Sequence, residues 1–189
     1  MGAESGAIES ARERREPLPA RQERRLVRGA QRGSKQALAD LYAAHWRRAH
    51  RAAYLVVHDP VAAEDIAQDA FLAAIDALDH FDRRRPFGPW LHRIVANRAI
   101  DWARREDLRR RVGDPIAQAG AAVPDPIGQD VMAALARLPA EQRAVVVLRF
   151  LLDYRPGEIA RMLGLPRGTV NSRLRRALDR LGGELEAER

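Results

Sequence analysis

The chain of 189 residues contains no cysteine. Disulfides and thiolate metal sites are therefore excluded. Lysine is nearly absent, so the basic residues are almost all arginine. No run of about 18 apolar residues exists, and a membrane-spanning helix is not expected. The N-terminus, "MGAESGAIESARERREPLPARQERR", has no apolar core of the kind a secretory signal needs. Gly6 stands where a myristoylation pattern would place Ser or Thr. Strand-type alternation is also scarce. There is no P-loop, no nucleophile elbow and no Gly-rich dinucleotide turn. The histidines (His45, His50, His58, His80 and His92) are scattered. His45 and His50 are five apart and fall on different faces of a helix, which disfavours a metal pair. The expectation is a protein without catalysis, metal or cofactor.

What remains is a basic, helical chain. The formal charge is +7 and the isoelectric point about 10.9. An arginine-rich balance favours nucleic acid or an acidic partner. Apolar residues recur at helical spacing, so the fold class is all-α. Residues 1–21 read as a disordered charged tail. Residues 109–128 gather Gly113, Pro115, Gly120, Pro124, Pro126 and Gly128 and read as a flexible linker. Two small helical domains are thus expected, over 22–108 and 129–186, moving independently in solution.

In the first domain, Ser34 is placed to cap a helix beginning near Lys35, with an apolar stripe of Leu38, Leu41, Tyr42, His45, Ala49 and Ala53. Asp59 with Pro60 starts the next helix. Its apolar stripe runs from Ala63 through Ile66, Ala67, Ala70, Phe71, Ala74 and Ile75 to Leu78. The opposite face carries Glu64, Asp65, Gln68, Asp69 and Asp76. A basic, aromatic loop, "HFDRRRPFGP", follows, with Phe87 as its better candidate for an exposed aromatic, the alternative being a ring that plugs the core. A third long helix is expected from near Trp90. Asn97, Asp101, Arg104 and Arg105 form a polar stripe on it at i, i+4, i+7 and i+8, while Trp90 and Trp102 read as core. Aromatics beside arginines suit single-stranded nucleic acid, because bases stack on rings while cations follow phosphates.

In the second domain, "EIARMLGLPRGTVNSRLRR" reads as two helices joined by a tight turn. Ala160, Gly164 and Val170 have the spacing of a DNA-binding helix-turn-helix. Ile159, Leu163, Leu165, Leu174, Leu178 and Leu181 form its expected core. Arg167, Asn171, Ser172 and Arg175 then point outward from the N-terminal half of the second helix.

Three stretches resemble the signature segments of extracytoplasmic-function (ECF) sigma factors: "DPVAAEDIAQDAFLAAI", "FGPWLHRIVANRAIDWARR" and "LPAEQRAVVVLRFLLDYRPGEIARMLGLPRGTVNSRLRRAL". The resemblance runs from about Leu26 to Leu181. It implies a cytoplasmic, nucleoid-associated protein, monomeric when free, that binds core RNA polymerase and directs initiation at promoters. It implies that Glu64, Asp65, Gln68 and Asp69 meet the β′ clamp helices, and that the second domain rests on the β flap. Arg83, Arg84, Arg85, Phe87, Asn97, Asp101, Arg104 and Arg105 take the positions that melt and read the minus-ten element, as duplex and as single strand. Asn97 falls where the family holds a flipped base. Arg167, Thr169, Asn171, Ser172, Arg175 and Arg176 fall where it reads the minus-thirty-five element. An anti-sigma partner is implied as well. Two departures stand out: Arg155-Pro156-Gly157 ahead of "EIA", and Asn171 where the family often has Lys or Arg. The competing reading is a stand-alone helix-turn-helix regulator acting without polymerase.

Overall fold

The computed structural model describes residues 18–111 and 129–187; most of the expected tail and linker lies outside the described residues. Within them the fold is helical, with no strand. Helix α1 spans Ala20–Ala30, α2 Lys35–Val57, α3 Pro60–Asp76 and α4 Phe87–Arg111. A 3-10 turn at Leu78–His80 follows α3. The second domain contains α5 (Gln129–Ala136), α6 (Ala140–Val146), a π-helical turn (Val147–Leu151), α7 (Pro156–Leu163) and α8 (Arg167–Ala187).

The helix starts follow local chemistry. The Ser34 side chain accepts from the Ala37 N–H at 3.2 Å, and Asp59 accepts from the Ala62 N–H at 2.9 Å. Each supplies one of the acceptors that a helix N-terminus lacks. Helix α2 stops at His58, which adopts left-handed backbone (φ 56°), and Pro60 then begins α3. Helix α4 begins at Phe87, three residues before the expected start, and reaches Arg111, into the stretch read as linker.

The first domain packs α1 to α4 around Leu41, Leu55, Phe71, Leu91 and Val95. The α3 stripe is narrower than its periodicity implies. Ile75 is exposed, as are Val61 and Leu72. Alanines at 63, 67, 70 and 74 bring the neighbouring helices close, which leaves the flanking large side chains outside.

The two domains are in contact, contrary to the expectation of independence. Arg143 of α6 is buried at the junction. Its guanidinium donates to the carbonyls of Val56, Ala136 (3.2 Å) and Leu138 (2.9 Å). Val56 lies in the last turn of α2 and Ala136 ends α5, so one cation caps carbonyls from both domains. His92 of α4 lies with Nδ1 2.7 Å from the Tyr154 hydroxyl, just ahead of α7. Burial pushes the Tyr154 hydroxyl pKa up, so both partners are neutral at pH 7. The His92 pKa is pushed down to about 3, first by burial and then by the charges of His45 and Arg48.

This pair has a pH signature. Because the folded pKa of His92 lies below its unfolded value, the unfolded chain alone binds the proton between about pH 6.5 and 3. Stability is therefore fully present above that window and is lost as pH falls through it, by up to about 1.4 kcal/mol per unit for this group. Thermal melts at pH 7.5 and 5.5 should show this decline, and His92→Gln should reduce it to the part due to His58, whose pKa burial also pushes down to about 3. An equal decline in the variant would remove His92 as its source.

Candidate nucleic-acid and polymerase interfaces

The basic loop is pinned at both ends by aromatic rings. Phe81 and Phe87 are both buried, with ring centroids 5.9 Å apart at 80°. Phe87 is 3% exposed and also packs on Trp90 and His45. It is the core plug of the two readings and not an exposed base-stacking ring. The reason is the early start of α4, which turns the Phe87 side chain inward. Trp90 and Trp102 are half-buried against the core.

Between the two rings, Asp82 to Pro86 form the exposed loop. Asp82 accepts from the Arg84 N–H at 3.0 Å and from Arg84 Nε at 3.1 Å. The Arg84 hydrogen bond holds the Asp82 carboxyl below its usual range. Arg83, Arg84 and Arg85 all face solvent.

The polar stripe on α4 is present as spaced. Asn97, Asp101, Arg104 and Arg105 are exposed on one side of the helix. Arg105 Nε donates to the Asp101 carbonyl at 3.2 Å. Arg104 reaches the second domain instead, donating to Glu141 Oε1 at 2.6 Å. Burial would raise the Glu141 carboxyl, but its own backbone N–H and Arg104 outweigh that and hold it low. The pair is largely solvated and contributes little stability by itself.

The acidic face of α3 adjoins this stripe. Glu64, Asp65, Gln68 and Asp69 are exposed. Gln68 donates to Glu64 at 3.1 Å. Asp69 accepts from Arg98 Nη1 at 3.2 Å, which ties the acidic face to α4. An open groove of about 420 Å³ runs between the two helices, lined by Asp65, Asp69, Arg98, Asp101, Trp102 and Arg105. Val61 and Leu72, 69% and 59% exposed, stand on the same side of α3 as Asp65 and Asp69. They fall outside the apolar stripe read from the sequence, which ran from Ala63 to Leu78 along the other face.

The helix-turn-helix is built as its spacing requires. Gly164 adopts left-handed backbone (φ 65°), and the Leu165 N–H donates to the Ala160 carbonyl at 2.9 Å. Ala160 is buried at the crossing and Val170 is fully buried between α7 and α8. Pro156 is the first residue of α7, and Glu158 accepts from the Arg155 N–H at 2.7 Å. The Arg155-Pro156-Gly157 departure therefore still yields a closed helix start. Arg167, Asn171, Arg175 and Arg176 are exposed on α8, with Thr169 and Ser172 half-buried. The Ser172 hydroxyl donates to the Thr169 carbonyl at 3.0 Å, leaving its lone pairs outward. Leu178 is exposed and not part of the core, while Ala177 before it and Leu181 a turn later pack inward, so Leu178 lies on the outer edge of the α8 stripe.

Among the described residues no cluster of three or more His, Asp or Glu could hold a metal ion, and no helix is long and apolar enough to cross a membrane. The fold and faces define a two-domain, all-α DNA-binding protein whose two candidate reading surfaces lie on different helices. The comparisons narrow that class. Residues 41–109 match the family model for sigma-70 region 2, and residues 128–181 match that for sigma-70 region 4. The chain is 39% identical over 158 residues to the ECF RNA polymerase sigma factor SigM of Mycobacterium tuberculosis, covering 79% of this chain and 77% of that one. It is 27% identical to SigW of Bacillus subtilis, over 86% of this chain and 96% of that one. Among solved structures, CnrH in complex with the cytosolic domain of CnrY superposes with a TM-score of 0.68 at 31% identity, covering 89% of this chain and 99% of that one. The sigma factor RpoE in complex with the anti-sigma factor NepR from Bartonella quintana gives a TM-score of 0.68 at 25% identity, over 80% of this chain and 98% of that one. The chain belongs to the ECF sigma factors, which direct transcription initiation at promoters.

The turn of the reading head gives a local test. Any Cβ at position 164 must sit at positive φ, at a cost of about 1–2 kcal/mol. Gly164→Ala should lower the unfolding midpoint by that amount, read by denaturant titration. An unchanged midpoint would show that the turn relaxes freely.

Proposed function

We propose that this sigma factor docks on the β′ clamp helices of core RNA polymerase through Glu64, Asp65, Gln68 and Asp69. An acidic face suits a basic helical partner, and the neighbouring apolar Val61 and Leu72 add surface whose burial favours association. Arg83, Arg84 and Arg85 then meet the phosphates of the minus-ten element, and Asn97 with Asp101 and Arg105 accepts an unpaired base. Arg167, Thr169, Asn171, Ser172, Arg175 and Arg176 read the minus-thirty-five element as duplex, while the rest of the second domain rests on the β flap. The protein acts in the cytoplasm without catalysis of its own. Binding energy from polymerase and DNA offsets the unstacking of a few bases.

The observation that carries this reading is the joint exposure of two separate faces, Asn97 to Arg105 on α4 and Arg167 to Arg176 on α8. A repressor needs one. Arg104 faces Glu141 while the domains touch, so its use on DNA requires the domains to part. An anti-sigma protein that holds the domains together is the matching form of control; RpoE is seen in complex with the anti-sigma factor NepR, and CnrH with the cytosolic domain of CnrY.

Run-off transcription with core polymerase tests the proposal. Sequencing the transcripts that reconstituted holoenzyme makes on genomic DNA identifies the promoter. Asn97→Ala should cut specific initiation there by about tenfold or more, the cost of one well-formed base contact, with core binding unchanged. Initiation that survives Asn97→Ala removes the base-pocket role. Tight, specific duplex binding without polymerase would instead favour the stand-alone regulator.

A further inference from the structure

Helix α4 carries the proposed minus-ten face, yet it begins without a cap of its own. Pro86, just ahead of it, has no side-chain acceptor, and Pro89 in its first turn has no N–H. The N–H groups of Phe87 and Gly88 therefore need an outside partner. Glu23, on α1 and 64 residues upstream, supplies it. Oε2 accepts from Phe87 at 3.0 Å and Oε1 from Gly88 at 3.2 Å. The carboxylate is buried, and His45 Nε2 lies 3.2 Å from Oε1. Burial would raise its pKa, but the His45 ring and the two N–H groups outweigh that and lower it, so the buried group is a carboxylate at pH 7. Gly88 is the residue that permits this closeness: a Cβ there would stand 3.3 Å from the His45 ring and 3.8 Å from Glu23.

The other end of the loop is held from the same helix. Gln31, at the C-terminal end of α1, donates its amide to the Leu78 carbonyl at 2.8 Å and the Phe81 carbonyl at 3.0 Å. One helix thus grips the main chain on both flanks of Asp82–Pro86, while Phe81 and Phe87 close the base with their rings. Helix α1 lies ahead of residue 41, where the sigma-70 region 2 match begins.

We propose that Glu23 and Gln31 form a two-point clasp that makes α1 a positioning element for the strand-opening loop. Arginines on an untethered loop would sample many placements, and the duplex would have to select one. The clasp removes that freedom before DNA arrives, so the loop enters the duplex preorganised. Neither residue touches DNA; both act through the main chain they hold. The inference rests on the reading of Arg83, Arg84 and Arg85 as minus-ten contacts.

The test compares holoenzymes carrying Glu23→Gln and Gln31→Ala on two templates: the duplex promoter identified by transcript sequencing, and the same promoter with its minus-ten bases mismatched open. Glu23→Gln keeps the shape but loses the charge. Open-complex formation, followed by permanganate reactivity of unpaired thymines, should slow about tenfold on the duplex, the value of one charge-assisted hydrogen bond. It should stay within about twofold of wild type on the pre-opened template, as should affinity for core polymerase, since both bypass loop insertion. Wild-type rates on the duplex for both variants overturn the clasp. An equal loss on both templates also overturns it, because the damage then lies in folding or polymerase docking. A third holoenzyme with Arg83, Arg84 and Arg85 all changed to Ala separates the two levels. If it opens the duplex normally, the loop reading itself fails. If it fails while Glu23→Gln does not, the clasp alone is lost.

Discussion

A helix with no cap of its own sets the terms for the first domain. Helix α4 starts between two prolines, and its first free N–H groups are satisfied by the Glu23 carboxylate. A buried charge is tolerated only with full partnership, and here the partners are two N–H donors, the positive end of the helix and the His45 ring. Three helices must converge for this to happen: α1 brings the acid, α2 the imidazole and α4 the donors. The loop between α3 and α4 inherits its geometry from that convergence. Ordering five loop residues costs roughly 1–2 kcal/mol each, and contacts outside the loop offset that cost.

The same helix also meets the second domain. His45 faces His92 across α4, with ring centroids 6.4 Å apart, and His92 meets Tyr154. A line of polar side chains thus runs from α1 to the entrance of the helix-turn-helix. Elsewhere in the same contact, Arg143 caps helix ends of both domains. Most of these groups are buried, so parting the domains exposes donors and acceptors that water satisfies again. These polar groups lie beside buried apolar residues of both domains, which form one continuous core.

Local chemistry was legible in the sequence, and distant chemistry was not. Ser34, Asp59 with Pro60, and Gly164 act within four residues of themselves, and their roles could be read directly. The spacing of Asn97, Asp101, Arg104 and Arg105 likewise survives, because a helix converts spacing into a face. The sequence left Phe87 between an exposed ring and a core plug, because its environment depends on where α4 starts, and that depends on Glu23, far upstream. An aromatic beside arginines looks exposed until the cap is known. Ile75 and Leu178 show the other limit: periodicity locates a stripe, while the neighbouring helices determine its width and length. The two prolines around Phe87 were the signal that could have pointed to a cap from elsewhere.

The two departures from the family pattern turn out to differ in kind. The first, Arg155-Pro156-Gly157, changes how α7 begins but not its outcome. Pro156 takes the one early position where a missing N–H costs nothing, and Glu158 closes back on Arg155. Val170 is still buried, so α8 is seated as the motif requires. The second, Asn171, leaves the backbone untouched and alters the chemistry of an exposed position. An amide presents one donor and one acceptor edge, which pairs with adenine, whereas a cation at that place favours guanine or phosphate. With helix placement preserved, the consequence of this departure under the proposed minus-thirty-five role is a change in the base edge that position 171 would satisfy.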